Sequence, residues 1–389
     1  MEYAETIDNL IKQLPVVCSH VVHHAVRPKA CIRQTGFPVS QHIDILTLAN
    51  MRTLLAMQAA AILMITSGVV TAQAPPAPPP FDVAKMRADL EAYSKMPDTV
   101  GTGSYPALKE MDPSLPDHVI YRPADLSKLG KQKLGVLAWG NGGCSADGAG
   151  ARLHLAEIAS HGYLAIAPGT ILSGPGAPPR APGSMPPGLP PAPGAAGAPP
   201  SIPPPATKAS SLRQAIDWAL AENVRAGSPY FGRIDPKWIA VSGWSCGGLQ
   251  ALEIASDPRV RTVIIHNSGI FSPGANPIPG MDLGKDLLQK LHTPILYILG
   301  GPTDIAYTNG MDDFKQINAV PVMVANLDVG HGGTFIQPNG GRATSVAVSW
   351  LDWQLNGDSQ AAKHFTGPHC GLCTDPQWQV ERKNMDAAH

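Results

Sequence analysis

"VSGWSCGGLQAL", residues 241–252, runs from an apolar, β-branched stretch through a cluster of small residues into a helical pattern. The spacing predicts the end of a buried strand ("WIAVSG", 238–243), a tight turn, and a helix over 245–256. The turn itself reads Gly243-Trp244-Ser245-Cys246-Gly247, the pattern G-x-S-x-G. Alone, that pattern is a common accident of composition. Between a strand and a helix it has a physical meaning. So sharp a turn strains the backbone of the serine, leaves room only for small residues at 243 and 247, and lifts the hydroxyl above the sheet. The first N–H groups of the following helix also point toward any negative charge that develops near Ser245.

Outward from this turn, strands and helices alternate. "HVIYRP" (118–123), "KLGVLAW" (133–139), "YLAIAP" (163–168), "RTVIIHN" (261–267), "PILYILGG" (294–301) and "VPVMVANLD" (320–328) are apolar, β-branched runs bounded by turn residues. "ARLHLAEIASHG" (151–162) and "SSLRQAIDWALAEN" (210–223) have helical spacing, the first with a glycine stop. Continuously apolar strands alternating with helices predict an α/β fold, a doubly wound and mostly parallel sheet covered on both faces. The expected single catalytic domain covers residues 101–357. A Pro-rich leader and first helix (75–100) precede it, and a tail containing "CGLC" (358–389) follows. Residues 174–205 are dominated by proline and glycine and cannot form a helix or central strand. They interrupt the path from a strand end to the next helix, at the carboxyl edge of the sheet, where sites in such folds lie. Two readings stand: a segment overhanging the site, or a tolerated loop expansion.

The chain has 389 residues and a formal net charge of −1, with no long basic or acidic run. That balance argues against nucleic acid or an anionic membrane surface as the main partner. "MRTLLAMQAAAILMITSGVVTAQA" (51–74) has a positive start, a short apolar centre and an A-x-A end, which together read as a secretory signal peptide. Translation is then expected to start at Met51, with residues 1–50 a mis-assigned upstream extension. The alternative is a membrane anchor, since the apolar stretch is about 17 residues, near the lower limit for a span. Export implies a secreted or periplasmic protein with no stable membrane span after cleavage. It leaves Cys144, Cys246, Cys370 and Cys373 in an oxidising compartment that favours disulfides. No His or Cys spacing suits a zinc site, so no metal is expected.

A serine hydroxyl becomes a useful nucleophile only when a base takes its proton. His331, in "LDVGHGGTF", follows the last strong strand and has glycines on both sides that let its loop turn inward. A carboxylate should fix the imidazole. Asp304, in "ILGGPTDIAY", lies just beyond the preceding strand. Asp312, Asp313 and Asp328 compete for that role; the first two fall in the next helical pattern, and Asp328 falls too close to His331. An oxyanion site would take one donor from the N–H of Cys246. A second would come from the loop in "LAWGNGGCSADG" (137–148), where the N–H of Asn141 is preferred and that of Gly142 comes next. A phosphate loop is not expected there, because G-x-x-x-x-G-K-[ST] is absent.

The motifs "WGNGG", "GWSCGG", "GGPTDIAY" and "GHGG", in this order across residues 100–357, resemble the α/β-hydrolase superfamily. The nearest likeness is to secreted dienelactone-hydrolase-like, chlorophyllase-like and cutinase or polyester-hydrolase-like esterases. The resemblance implies a Ser245–Asp304–His331 catalytic triad, ester substrates that are small molecules or polymers, and no cofactor. Cutinases and polyester hydrolases usually carry G-H-S-M-G, where this chain has Trp244 and Cys246 around the serine; the Pro-rich insertion is also foreign to them. Trp139, Trp244, Ile305 and Tyr307 adjoin the motifs and are candidates for an apolar substrate pocket, with core packing an equal account of Trp139. An acyltransferase would use the same triad. A serine peptidase and a non-catalytic binding protein are the remaining alternatives. The sequence carries no signal for an oligomeric state.

Cys144 directly follows the oxyanion loop and Cys246 directly follows Ser245. If both loops converge on one oxyanion, a Cys144–Cys246 disulfide would pin them together. The alternative is a buried free thiol. Cys370 and Cys373 would then pair locally or stay reduced.

Overall fold

The computed structural model describes residues 83–179 and 203–385. The stretches expected to be an upstream extension (1–50) and a signal peptide (51–74), the leader up to residue 82 and residues 180–202 of the insertion lie outside the described residues.

Among the described residues, nine strands form one mixed sheet. In chain order they are β1 (Ala107–Asp112), β2 (Leu115–Pro123), β3 (Leu134–Gly140), β4 (Tyr163–Pro168), β5 (Ile234–Trp244), β6 (Thr262–His266), β7 (Ile295–Leu299), β8 (Val322–Leu327) and β9 (Trp378–Lys383). Their spatial order is β1-β2-β4-β3-β5-β6-β7-β8-β9. Strands β3 to β8 are mutually parallel, whereas β1, β2 and β9 join antiparallel. The expected α/β class and mostly parallel sheet are therefore present. Among the described residues, the α-helices longer than four residues are α1 (Val83–Ser94), α2 (Arg152–Ser160), α3 (Ala209–Val224), α4 (Cys246–Ile254), α5 (Tyr307–Gln316) and α6 (Gly341–Asn356).

Side chains alternate across a strand, so the central strands feed two cores. Val136, Val241, Val263, Ile295 and Val324 face α3, α4 and α5 on one side. Leu137, Ala240, Ile264, Leu296 and Met323 face α2 and α6 on the other. Burial on both faces explains why these strands read as unbroken apolar runs in the sequence.

The edges differ from the expectation. β1 ("ALKEMD") and β9 ("WQVERK") are charged and only partly buried. Edge strands carry such residues because an apolar open edge invites pairing with other chains, and that composition hides them from a search for apolar runs. The sheet accordingly takes a strand from beyond 357. The tail returns through Cys370–Cys373 and lays β9 along β8, from Leu327↔Trp378 to Val322↔Lys383. No helix among the described residues is long and apolar enough to cross a membrane.

Candidate active site

The carboxyl ends of β5, β6, β7 and β8 converge on one spot. Ser245 caps α4 with φ 54° and ψ −123°, a conformation that costs an L-residue energy and persists only where packing enforces it. Two features enforce it here. The Ser245 N–H donates to the His266 carbonyl at the end of β6 (3.0 Å), and the Ser268 hydroxyl donates to the Ser245 carbonyl (2.7 Å). Gly247 is required by proximity: a Cβ there would land on the Gly140 carbonyl oxygen, so the turn after β5 and the end of β3 touch backbone to backbone.

Within this frame the three sequence-predicted side chains meet. The Ser245 Oγ lies 2.9 Å from His331 Nε2, and His331 Nδ1 lies 2.6 Å from Asp304 Oδ1. Asp304 and His331 are almost wholly buried, and Ser245 is half-buried. Asp304 accepts four hydrogen bonds: from His331 Nδ1–H and Ala306 N–H on Oδ1, and from Asn267 Nδ2–H and Gly300 N–H on Oδ2. Burial alone would push its carboxyl up. The His331 bond and charge, with the two backbone donors, outweigh that and hold it below the usual aspartate value. An ionised carboxylate only accepts, so the imidazole proton sits on Nδ1 and Nε2 is left to accept the serine proton.

The competing carboxylates are occupied elsewhere. Asp312 and the fully buried Asp313 pair with Lys285 Nζ at 2.7 and 2.6 Å, and Asp313 also accepts from the Ile270 N–H. Asp328 is exposed, with Thr303 Oγ1 at 3.4 Å.

The loop after β3 closes the other side. Asn141 is buried, and its amide Nδ2 donates to the carbonyls of Ser145 (2.9 Å) and Pro168 (2.7 Å), which fixes the loop with its backbone beside Gly247. A Cβ at Gly142 would enter the Trp244 ring, so this approach also needs glycine. Cys246 is the first residue of α4, and N–H groups in a first turn have no partner within the helix. Cys144 and Cys246 are joined as a disulfide with a Cα–Cα distance of 5.2 Å, and Cys370 and Cys373 form a second one. The first bridge ties the β3 loop to the residue after Ser245, as the converging-loop argument required.

A noncovalent strap runs parallel to it. The Cys144 carbonyl accepts from the N–H groups of Ala206 and Thr207 (3.0 Å each) and from Thr207 Oγ1 (3.1 Å). Gln250, fully buried one turn beyond Cys246 on α4, donates to the Thr207 carbonyl at 2.7 Å. Just before the insertion, the Thr170 N–H donates to the Ala146 carbonyl at 3.0 Å, so chain on both sides of the Pro-rich segment attaches to the same loop.

The Cys144–Cys246 bridge closes 102 positions of sequence. A loop near that length corresponds to roughly 2–5 kcal/mol of stability. The double substitution Cys144→Ala with Cys246→Ala is expected to lower the denaturant midpoint far more than Cys370→Ala with Cys373→Ala, whose ring spans three positions. Equal shifts for the two pairs would count against a dominant role for loop closure.

The candidate pocket residues divide. Ile305 is exposed, Trp244 and Tyr307 are half-buried, and Trp244 donates from Nε1 to the His331 carbonyl at 2.9 Å. Trp139 is fully buried, with ring centroids 4.8 Å from His154, 5.6 Å from His266 and 5.8 Å from Phe335. It belongs to the core behind the site, the packing alternative considered for it. Burial pushes both of those histidines below the ordinary imidazole range, His266 to about 3, which leaves them neutral spacers.

No protein-family model matches the chain, and no curated protein matches it.

Sequence reasoning missed Asn267, Ser268, Thr207 and Gln250. Asn267 and Ser268 follow β6 directly, and a polar pair just past the carboxyl end of a central strand beside the serine strand was a usable signal. Thr207 and Gln250 carry no comparable mark, since their role depends on chain that returns from the insertion.

Proposed function

We propose that this chain is a secreted serine carboxylic-ester hydrolase built on an α/β-hydrolase type of sheet. The hydrogen-bonded run from Ser245 Oγ through His331 to a buried, ionised Asp304, starting from a strained serine between strand and helix, carries the reading. In this mechanism Ser245 Oγ attacks the ester carbonyl carbon while its proton passes to His331 Nε2. The resulting oxyanion is held by the N–H of Cys246 and that of Asn141 or Gly142. Collapse breaks the carbon–oxygen bond to the alcohol, which leaves with the proton from Nε2. Water, deprotonated by the same nitrogen, then releases the acid from the acyl-serine.

The surroundings favour an apolar group on the ester. Exposed Ile305 directly follows Asp304, exposed Val329 lies two residues before His331, and half-buried Trp244 precedes Ser245. Two disulfides agree with export to an oxidising compartment. The test is covalent. An organofluorophosphonate should block turnover of p-nitrophenyl esters and leave its mass on the peptide containing Ser245. An adduct elsewhere, or none, would overturn the reading.

A further inference from the structure

We propose that Asn267 is a positioning residue for this ester chemistry, one that holds the acid and the base of the triad in register from a third strand; the proposal rests on the hydrolase reading above. Asn267 lies immediately beyond β6, is almost wholly buried, and takes φ 44°. Asparagine tolerates that left-handed conformation better than most residues. Its backbone N–H is secured by the Ile298 carbonyl of β7 at 2.8 Å. Its side-chain amide nitrogen spans two acceptors, Asp304 Oδ2 at 3.0 Å and the Gly330 carbonyl at 3.1 Å. Gly330 directly precedes His331, so one NH2 group links the loop carrying the acid to the loop carrying the base.

The chemistry of that link is specific. Both partners are acceptors, one of them charged, so the bridging group must offer two hydrogens from a single atom. An ammonium would also satisfy them, but at the cost of a buried charge that would partly neutralise Asp304 and weaken its pull on His331. A neutral amide donates twice and leaves the carboxylate charge directed at the imidazole. The neighbours of Asn267 complete the arrangement. The His266 carbonyl accepts the Ser245 N–H, and Ser268 Oγ donates to the Ser245 carbonyl. The segment 266–268 thus makes direct hydrogen bonds to Ser245 and Asp304 and to the residue before His331.

Other titratable groups near the pair are few among the described residues. Asp328 is exposed and lies against Gly301, and Asp313 is paired with Lys285. The His266 ring packs among Trp139, His154 and Phe335.

Two variants test the proposal. Asn267→Asp keeps the shape and the backbone conformation but sets a second carboxylate against Asp304. Asn267→Gly keeps the backbone conformation and removes both bonds. Each should lower kcat on p-nitrophenyl esters by about 10- to 100-fold with KM little changed, the range typical of partners that orient catalytic groups. Asn267→Asp should also move the acid limb of the kcat/KM profile to higher pH, because repulsion between two buried carboxylates raises their pKa and Asp304 must be ionised to support His331. A purely structural role would lower the melting temperature of Asn267→Gly and leave kcat of its folded form within a few-fold of wild type. Folded variants with wild-type kcat and an unmoved limb would overturn the assignment of Asn267. A wild-type protein that neither hydrolyses esters nor takes up fluorophosphonate would instead overturn the hydrolase reading on which the assignment rests.

Discussion

Ser245→Ala is expected to lower kcat for ester hydrolysis by about 10⁵- to 10⁶-fold while the protein stays folded. The magnitude follows from what the hydroxyl does in the proposed reaction. Without Oγ there is no acyl-enzyme, and only water attacking a bound ester remains, aided by the oxyanion donors; elsewhere such residual catalysis is about 10³–10⁴ over water. Stability should hardly move. The Ser245 side chain makes one hydrogen bond, to His331, and the strained backbone is held by main-chain and Ser268 contacts that alanine keeps. Steady-state kinetics with a thermal melt decides the matter. Turnover within about tenfold of wild type would remove Ser245 from the mechanism, since loss of a nucleophile costs orders of magnitude more.

Asp304→Asn carries the second-largest expectation, a fall of about 10⁴ in kcat. The amide preserves shape and volume but changes what His331 faces. An asparagine NH2 directed at Nδ1 favours the tautomer with its proton on Nε2, which cannot then accept the serine proton. The amide also meets four donors now arranged around a carboxylate, those of His331, Ala306, Asn267 and Gly300. Asp328→Asn and Asp312→Asn serve as controls and should stay near wild-type activity, because the one is exposed and the other is bound to Lys285. A loss at Asp328 equal to that at Asp304 would reassign the acid. A pH signature accompanies the main variant. The Asp304 carboxyl is held below its ordinary value in the folded chain, so the stability it contributes is present above the unfolded aspartate range and is lost as pH falls through the folded value. Asp304→Asn should remove that acid-side loss from the stability profile.

Much of the candidate site is legible in the sequence, for identifiable physical reasons. The strand, turn and helix around Ser245 are local, and their periodicities survive in the sequence because the second half of β5 (239–243) is buried on both faces. Asp304 and His331 were found by position, each just past an apolar strand. Position alone does not separate Asp304 from Asp312 and Asp313; Lys285, more than twenty positions upstream, binds those two rivals, a contact no local pattern reveals. The edge strands β1 and β9 escaped notice because a half-exposed strand keeps charged residues. Trp139 sits next to a functional loop in sequence, yet strand alternation turns its ring to the opposite side, into the core.

By itself, then, the sequence determined the class of fold, the serine between strand and helix, and the chain order Ser245, Asp304, His331 just past successive strands. Each of these depends on residues a few positions apart, or on where a side chain falls relative to one strand end. Tertiary structure decided which carboxylate reaches the imidazole, which cysteines pair, and what Asn267, Thr207 and Gln250 bond to. Those contacts join residues far apart in the chain, such as Ser245 and His331, 86 positions from one another. Such separations carry no periodicity. Only the register of parallel strands, which sets their carboxyl ends side by side, brings these residues within hydrogen-bonding distance.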